Sequence, residues 1–250
     1  FGVQWPIVAN SAHGAFTILL KPSAATGELW PEDKWQIIPT PAGLEISGSN
    51  DRSVLYGVYE VIKNWGVQFY LSGDVLPANP ILSFPKQVLS KKANFRMRGA
   101  HPYNNAFWDF EQYAFYIRQL PKVGLNFLGI HQYTYQPYLD YEVNGVHPRS
   151  GKLESSDTKV WGFGNISVCD FEVGREFFDG CIWGAKIMLN AKTPDDRYRL
   201  GQDVMARSLA LAHQVGLITA FGFEPLTQDP EFQKLATTEE GLRQVIEARM

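Results

Sequence analysis

The sequence predicts a mixed α/β protein: a small unit of sheet plus one helix over residues 1–88, then the first βα units of a TIM-type (β/α)8 barrel over residues 94–250. Three observations predict it. Residues 1–88 are rich in Pro and short β-type runs, broken by a single stretch of helical period. From residue 94 the pattern alternates strand, helix, strand, helix, strand, helix, which is the signature of a parallel sheet. Arg98, His131 and Glu224 fall at the ends of those later strands, where barrel enzymes keep their polar chemistry. No Gly-x-Gly-x-x-Gly and no Walker loop follows any strand, so an open nucleotide-binding sheet has no support.

In the first region, Ala15–Leu20 reads as a strand, and Trp35–Ile38 and Gly43–Ser47 read as two more around the turn Pro39–Ala42. Val54, Leu55, Val58, Val61, Ile62 and Trp65 then recur at helical spacing. Asp51 stands where an N-cap belongs and Gly66 where a helix stops. Gly57 in mid-helix costs roughly 1 kcal/mol against Ala, which close approach of helix to sheet would explain. Val67–Tyr70 is a further strand, closed by Ser72-Gly73-Asp74.

In the second region Phe95–Gly99 is the first strand. Phe110, Tyr113, Ala114, Ile117 and Leu120 mark a helix ending near Pro121. Asn126–His131 is the second strand. Residues 132–192 form a long insertion, in which Glu142–Val146 reads as a hairpin about Asn144-Gly145; a loop of this length is usually a lid or binding element. Thr193-Pro194-Asp195-Asp196 opens the next helix, with a cap, a first-turn proline and acids against the positive dipole end. Leu217–Phe223 is the third strand, and Thr237 with Glu240 forms a capping box for a last helix. Apart from the insertion this is chain enough for about three βα units of the eight a closed barrel needs. The remaining strands are therefore expected from later residues or another chain.

Composition narrows the function. The net charge is −3 and no block of five basic residues occurs, which argues against a nucleic-acid surface. No window approaches the ~20 apolar residues of a membrane helix. Cys169 and Cys181 can form one bridge or stay as buried thiols. No two histidines have the spacing of a metal pair, so neither a catalytic metal nor another cofactor is expected. The chain begins Phe1-Gly2-Val3 without Met, which suggests a cleaved precursor. Aromatic residues make up 14%, with 7 Trp, 11 Tyr and 16 Phe, more than one core needs and a hint of stacking surfaces.

The stretch Gly43–Pro77, with its strand, Tyr56-Gly57 helix and aromatic strand, resembles the small α/β domain ahead of the barrel in family 20 β-hexosaminidases and in family 67 and 115 α-glucuronidases. Phe95-Arg-Met-Arg-Gly99 resembles the hexosaminidase first strand, whose Arg-Gly pair supplies an arginine to the sugar hydroxyls; Arg98 is the matching residue. Gly124–His131 resembles the second strand, where an Asn is followed five residues later by a His facing the site; His131 matches. The third strand ends Phe223-Glu224-Pro225 where the family has a Pro-Glu-Ile-Asp type sequence. Another departure is Gln132-Tyr-Thr-Tyr135, where the family often carries an Asp pair. The resemblance implies a glycosidase acting on an oligo- or polysaccharide, exo-acting on a hexosamine or uronic-acid sugar, outside the cytoplasm in a bacterial periplasm or at the cell surface. It also places the catalytic Asp-Glu pair on a fourth strand.

Glycoside hydrolysis needs positioned carboxyl groups, and Glu224 is the best placed in this chain; the alternative is a structural ion pair. Arg98 can fork two hydrogen bonds to a sugar, or else sit in a buried salt bridge, with Glu224 as one possible partner. His131 can donate to a hydroxyl, or be a satisfied core histidine. Tyr133, Tyr135, Tyr138 and Tyr141 follow the second strand, and Tyr103, Phe107 and Trp108 the first. Aromatic faces of this kind stack on pyranose rings, although each one taken singly is more often packing. Asn104, Asn105 and Asp109 share the first loop and could reach hydroxyls. A non-catalytic carbohydrate-binding protein on the same fold is the competing reading.

Overall fold

The structure is a computed structural model. It describes residues 17–24, 27–100, 108–132, 140–147, 187, 190–223 and 232–248. The chain divides into two compact units: Phe1–Arg98 with Gln119–Asn126, and Gly99–Arg118 with Phe127–Met250.

The first unit holds a four-stranded sheet in the order β1-β3-β2-β6, from β1 (Thr17–Pro22), β2 (Lys34–Thr40), β3 (Gly43–Gly48) and β6 (Leu89–Lys92). β1 runs parallel to β3, while β2 is antiparallel to both β3 and β6. β2 reaches Thr40, so the connection to β3 is only Pro41-Ala42, tighter than the four-residue turn expected from sequence. Helix α1 (Asp51–Asn64) covers one face of the sheet, burying Val54 and Val61 on Ile37, Leu44 and Ile46. Each such aliphatic side chain contributes ~1.5–3 kcal/mol. Gly57 allows the approach: a Cβ there would lie 2.4 Å from the Ile46 Cγ2. The strand at the end of this region is β4 (Gln68–Tyr70), and it pairs not with the main sheet but with β5 (Gly73–Val75).

The second unit contains three parallel strands in sequential order: β7 (Gly99–Ala100), β8 (Phe127–Gln132) and β9 (Ile218–Phe223). Helix α2 (Phe110–Lys122) links the first two and α3 (Pro194–Gln214) precedes the third. α2 buries Tyr113, Ala114, Ile117 and Leu120, the stripe its periodicity predicts. Pro121 sits inside its last turn, where it removes one amide donor from the helical ladder just before the helix ends. Thr193 and Asp196 cap α3 reciprocally, Thr193 Oγ1 accepting from the Asp196 amide at 3.1 Å and Asp196 Oδ2 from the Thr193 amide at 3.1 Å. Last comes α4 (Glu239–Glu247), capped by Thr238 rather than Thr237; the latter ends a 3-10 turn, Leu235–Thr237. Within the insertion, Val143 and Val146 bridge across a turn with Asn144 at φ 53° and Gly145 at φ 79°, as an Asn-Gly hairpin demands. Tyr141 and Val143 pack on Phe232 and the α4 residue Val245.

β7 is shorter and later than the sequence suggests. Phe95 to Arg98 precede it, and Phe95 and Met97 are 72% and 57% exposed. Gly99 faces Phe127 so closely that a Cβ would meet its backbone oxygen at 2.7 Å.

Candidate functional site

The C-terminal edge of a parallel sheet is where loops converge and ligands bind. In this protein that edge carries His131, half-buried on β8 beside Gly222 of β9. Asn104, Tyr133, Tyr135 and Glu224 lie outside the described residues, as do Asn105, Tyr103, Phe107 and Tyr138. The structure therefore places one of the expected site residues on the edge itself and a second, Trp108, just before α2.

Trp108 is half-buried against aromatic neighbours, with its ring centroid 5.4 Å from Tyr113 and 6.1 Å from Tyr116. Its indole Nε1 is buried and has no hydrogen-bond partner. Packing fixes the ring, and the unmatched donor is the kind of group that a bound oxygen would satisfy. Asp109 starts α2: its carbonyl accepts from the Gln112 and Tyr113 amides, and its Oδ1 accepts from the Ile187 amide at 3.0 Å. That carboxylate oxygen ties the helix start to the insertion. Tyr141 is 6% exposed and belongs to the packing on α4.

Arg98 has partners on every side. It precedes β7, level with Asn126, and so stands at the N-terminal edge of the strands rather than the C-terminal edge. Its five N–H groups are all engaged. Nε donates to the Gly124 carbonyl at 2.7 Å, and Nη1 to the Phe95 and Arg96 carbonyls at 2.5 and 3.4 Å. Nη2 donates to Asp33 Oδ2 at 2.6 Å and to the Tyr56 hydroxyl at 3.1 Å. A guanidinium has no sixth donor to offer a sugar. Arg98 thus forms the buried salt bridge that the sequence left open, with Asp33 as the partner.

Asp33 is 1% exposed and gathers the densest polar network among the described residues. Besides Arg98 it accepts from Arg52 Nη2 at 3.0 Å, Asn50 Nδ2 at 3.0 Å, Ser53 Oγ at 3.3 Å and Asn126 Nδ2 at 3.3 Å. Burial alone would raise its carboxyl; the bonds from Arg98, Arg52 and Asn50 outweigh that and hold it below the ordinary value. Tyr56 donates to the Leu125 carbonyl at 3.0 Å, and its burial pushes the phenol up to about 12, so it is a neutral donor here. Sequence reading missed Asp33, Tyr56 and Asn126. Asp33 lies between Glu32 and Lys34 in what looks like a solvated charge run, and only its partners, brought in from distant segments, distinguish it. Among the described residues no group of three His, Cys, Asp or Glu side chains is placed to hold a metal ion, and no helix is long and apolar enough to cross a membrane.

No family model matches the chain, and no curated protein matches it. Among solved structures it is similar to a mutant β-hexosaminidase from Streptomyces plicatus in complex with the product GlcNAc, at 14% identity and a TM-score of 0.45, covering 92% of this chain and 39% of that one. It is also similar to a family 89 glycoside hydrolase from Clostridium perfringens. With PUGNAc bound, the identity is 16% and the TM-score 0.32 over 46% of this chain and 13% of that one. In complex with its substrate GlcNAc-α-1,4-galactose, the values are 14% and 0.42 over 82% and 22%. The chain thus spans between 13% and 39% of the length of these proteins.

Proposed function

We propose that this chain is part of a glycoside hydrolase, exo-acting on an oligo- or polysaccharide and releasing a hexosamine or uronic-acid sugar. The observation that supports it is the order of the parallel strands. β7, β8 and β9 are neighbours in chain order, linked through helices, without the reversal that marks an open doubly wound sheet. That is how a (β/α)8 barrel begins, and His131 lies toward the end of β8 where such barrels place their chemistry. Residues 1–88 are then the small domain ahead of the barrel. In this reading His131, Trp108, Asn104, Tyr133 and Tyr135 contact the sugar and Glu224 is a carboxylate of the site. Arg98 supports the strands from behind. The protein works outside the cytoplasm, where such polymers are met, and fractionation of the producing cells checks this.

The test, made on the whole protein of which this chain is part, is a panel of aryl glycosides of N-acetylhexosamines and uronic acids, with saturation-transfer NMR of the free sugars. Turnover that is lost in Glu224→Gln, with sugar affinity reduced at least tenfold in His131→Ala, supports the reading. Saturable binding with no turnover favours the carbohydrate-binding alternative. Neither binding nor turnover for any sugar removes both.

A further inference from the structure

We infer that Asp33 is a positioning residue, a register pin for the start of the parallel sheet. The two strands that open it, β7 and β8, begin one residue after Arg98 and one residue after Asn126. Those two residues lock to each other: the Asn126 amide donates to the Arg98 carbonyl at 2.7 Å, and the Arg98 amide donates to Asn126 Oδ1 at 2.8 Å. Asn126 Nδ2 also donates to the Arg96 carbonyl at 2.6 Å. Both side chains then end on one atom, Asp33 Oδ2, at 2.6 Å from Arg98 Nη2 and 3.3 Å from Asn126 Nδ2. Register matters because a slip of one residue turns every side chain of a strand to the other face. β7 is two residues long and cannot fix its own alignment with β8. Its pairing of Gly99 with Phe127 and Ala100 with Leu128 is inherited from the locked pair just before it. Asp33 therefore acts through Arg98 and Asn126 on the alignment of β7 with β8.

The charge makes the pin specific. An amide at position 33 could accept one of these bonds but would take the carboxylate charge away from the two guanidinium groups that bond to it, Arg52 and Arg98.

The test is amide hydrogen exchange on the full chain, residue by residue, in Asp33→Asn and in Asn126→Ala. The second variant keeps the ion pair and removes the Asn126 side-chain bonds to Asp33, to the Arg98 amide and to the Arg96 carbonyl. Exchange at Asn126, Ala100 and Leu128 is expected to speed up at least ~10-fold in both, while the amides of α3 and α4 keep their rates, as local opening requires. Unchanged exchange at those three amides overturns the inference. So does an equal acceleration everywhere, which marks a general stabiliser rather than a pin. Failure of both variants to fold overturns it too, since a local pin leaves the second unit's helices intact. None of these outcomes depends on sugar binding or turnover, so the inference stands or falls apart from the proposed activity.

Discussion

One carboxylate facing two guanidinium groups in a buried site is costly to disturb. Removing the charge of Asp33 takes that charge from both Arg52 and Arg98, and breaking a buried pair from one side costs about 3–5 kcal/mol. Asp33→Asn is expected to lose stability on that scale in urea unfolding. Its folded carboxyl lies below the ordinary 3.8, so the contribution is fully present above pH 3.8 and is lost as pH falls through the lowered value. The wild-type stability curve should therefore drop in that acid window, and the Asp33→Asn curve should lack that part of the drop. Arg98→Lys separates the structural from the sugar-contact role. Lysine can still meet Asp33 but cannot also serve Gly124, Phe95 and Tyr56, so about 2–3 kcal/mol of stability should go. Sugar affinity at pH 7 should stay as it was; a selective loss of affinity with unchanged stability would reinstate Arg98 as a ligand. Gly57 offers the opposite kind of test. Alanine gains roughly 1 kcal/mol of helix propensity, yet its methyl would sit 2.4 Å from the Ile46 Cγ2. Overpacking costs ~1–3 kcal/mol, so Gly57→Ala should destabilise on balance, read as a lower Tm.

Helix starts show how far sequence reading carries at the scale of elements. Thr193 was legible because cap, proline and acids all lie within four consecutive residues. At α1 the sequence points to Asp51 as the cap, one residue too late, since Ser49, Asn50 and Asp51 can all cap and local pattern does not rank them. The structure selects Asn50: its Oδ1 accepts from the Ser53 amide at 2.8 Å while its Nδ2 donates to Asp33 at 3.0 Å. A carboxylate at position 50 would cap as well but would face Asp33 with a second negative charge. The long-range partner decides, and no short-range signal reports it. Thr193→Ala should cost ~0.5–2 kcal/mol, the usual range for a cap. Asn50→Ala should cost more, because Asp33 also loses a donor, and Asn50→Asp should not rescue it. Thermal unfolding of the three variants ranks them. The strands that were missed, β5 and β6, have three and four residues and are mostly exposed, so neither shows alternation. The segment Phe95–Gly99 does alternate and misled for that reason: its apolar positions Phe95 and Met97 stand in solvent, and only Gly99 enters β7.

At the scale of the whole molecule the legible part was the alternation of elements from residue 94, since helical and strand periods differ even where boundaries blur. What the pattern cannot report is which apolar side chains find cover. Ten large apolar residues between Tyr70 and Met97 are exposed, among them Ile81 at 74% and Leu76 at 63%. Scattered apolar residues are ordinary on a protein surface, but so many within one stretch are not. The net charge of −3 is small for 250 residues and gives little electrostatic resistance to association. Nearby lysines do not change this, because Lys91 is paired with Glu60, and Lys92 with Glu32, whose carboxyl the Lys34 and Lys92 bonds hold at about 2. The chain is therefore expected to self-associate with rising concentration and to bind a hydrophobic dye in its folded state. Replacing Leu76, Ile81 and Leu82 together by Ser should lower both signals while leaving the unfolding free energy within about 1 kcal/mol of the parent, since exposed side chains contribute little to folding. Light scattering against concentration, with dye fluorescence on the same samples, makes the measurement. A parent chain that stays monomeric and dark to the dye would show that these residues are covered within the folded chain.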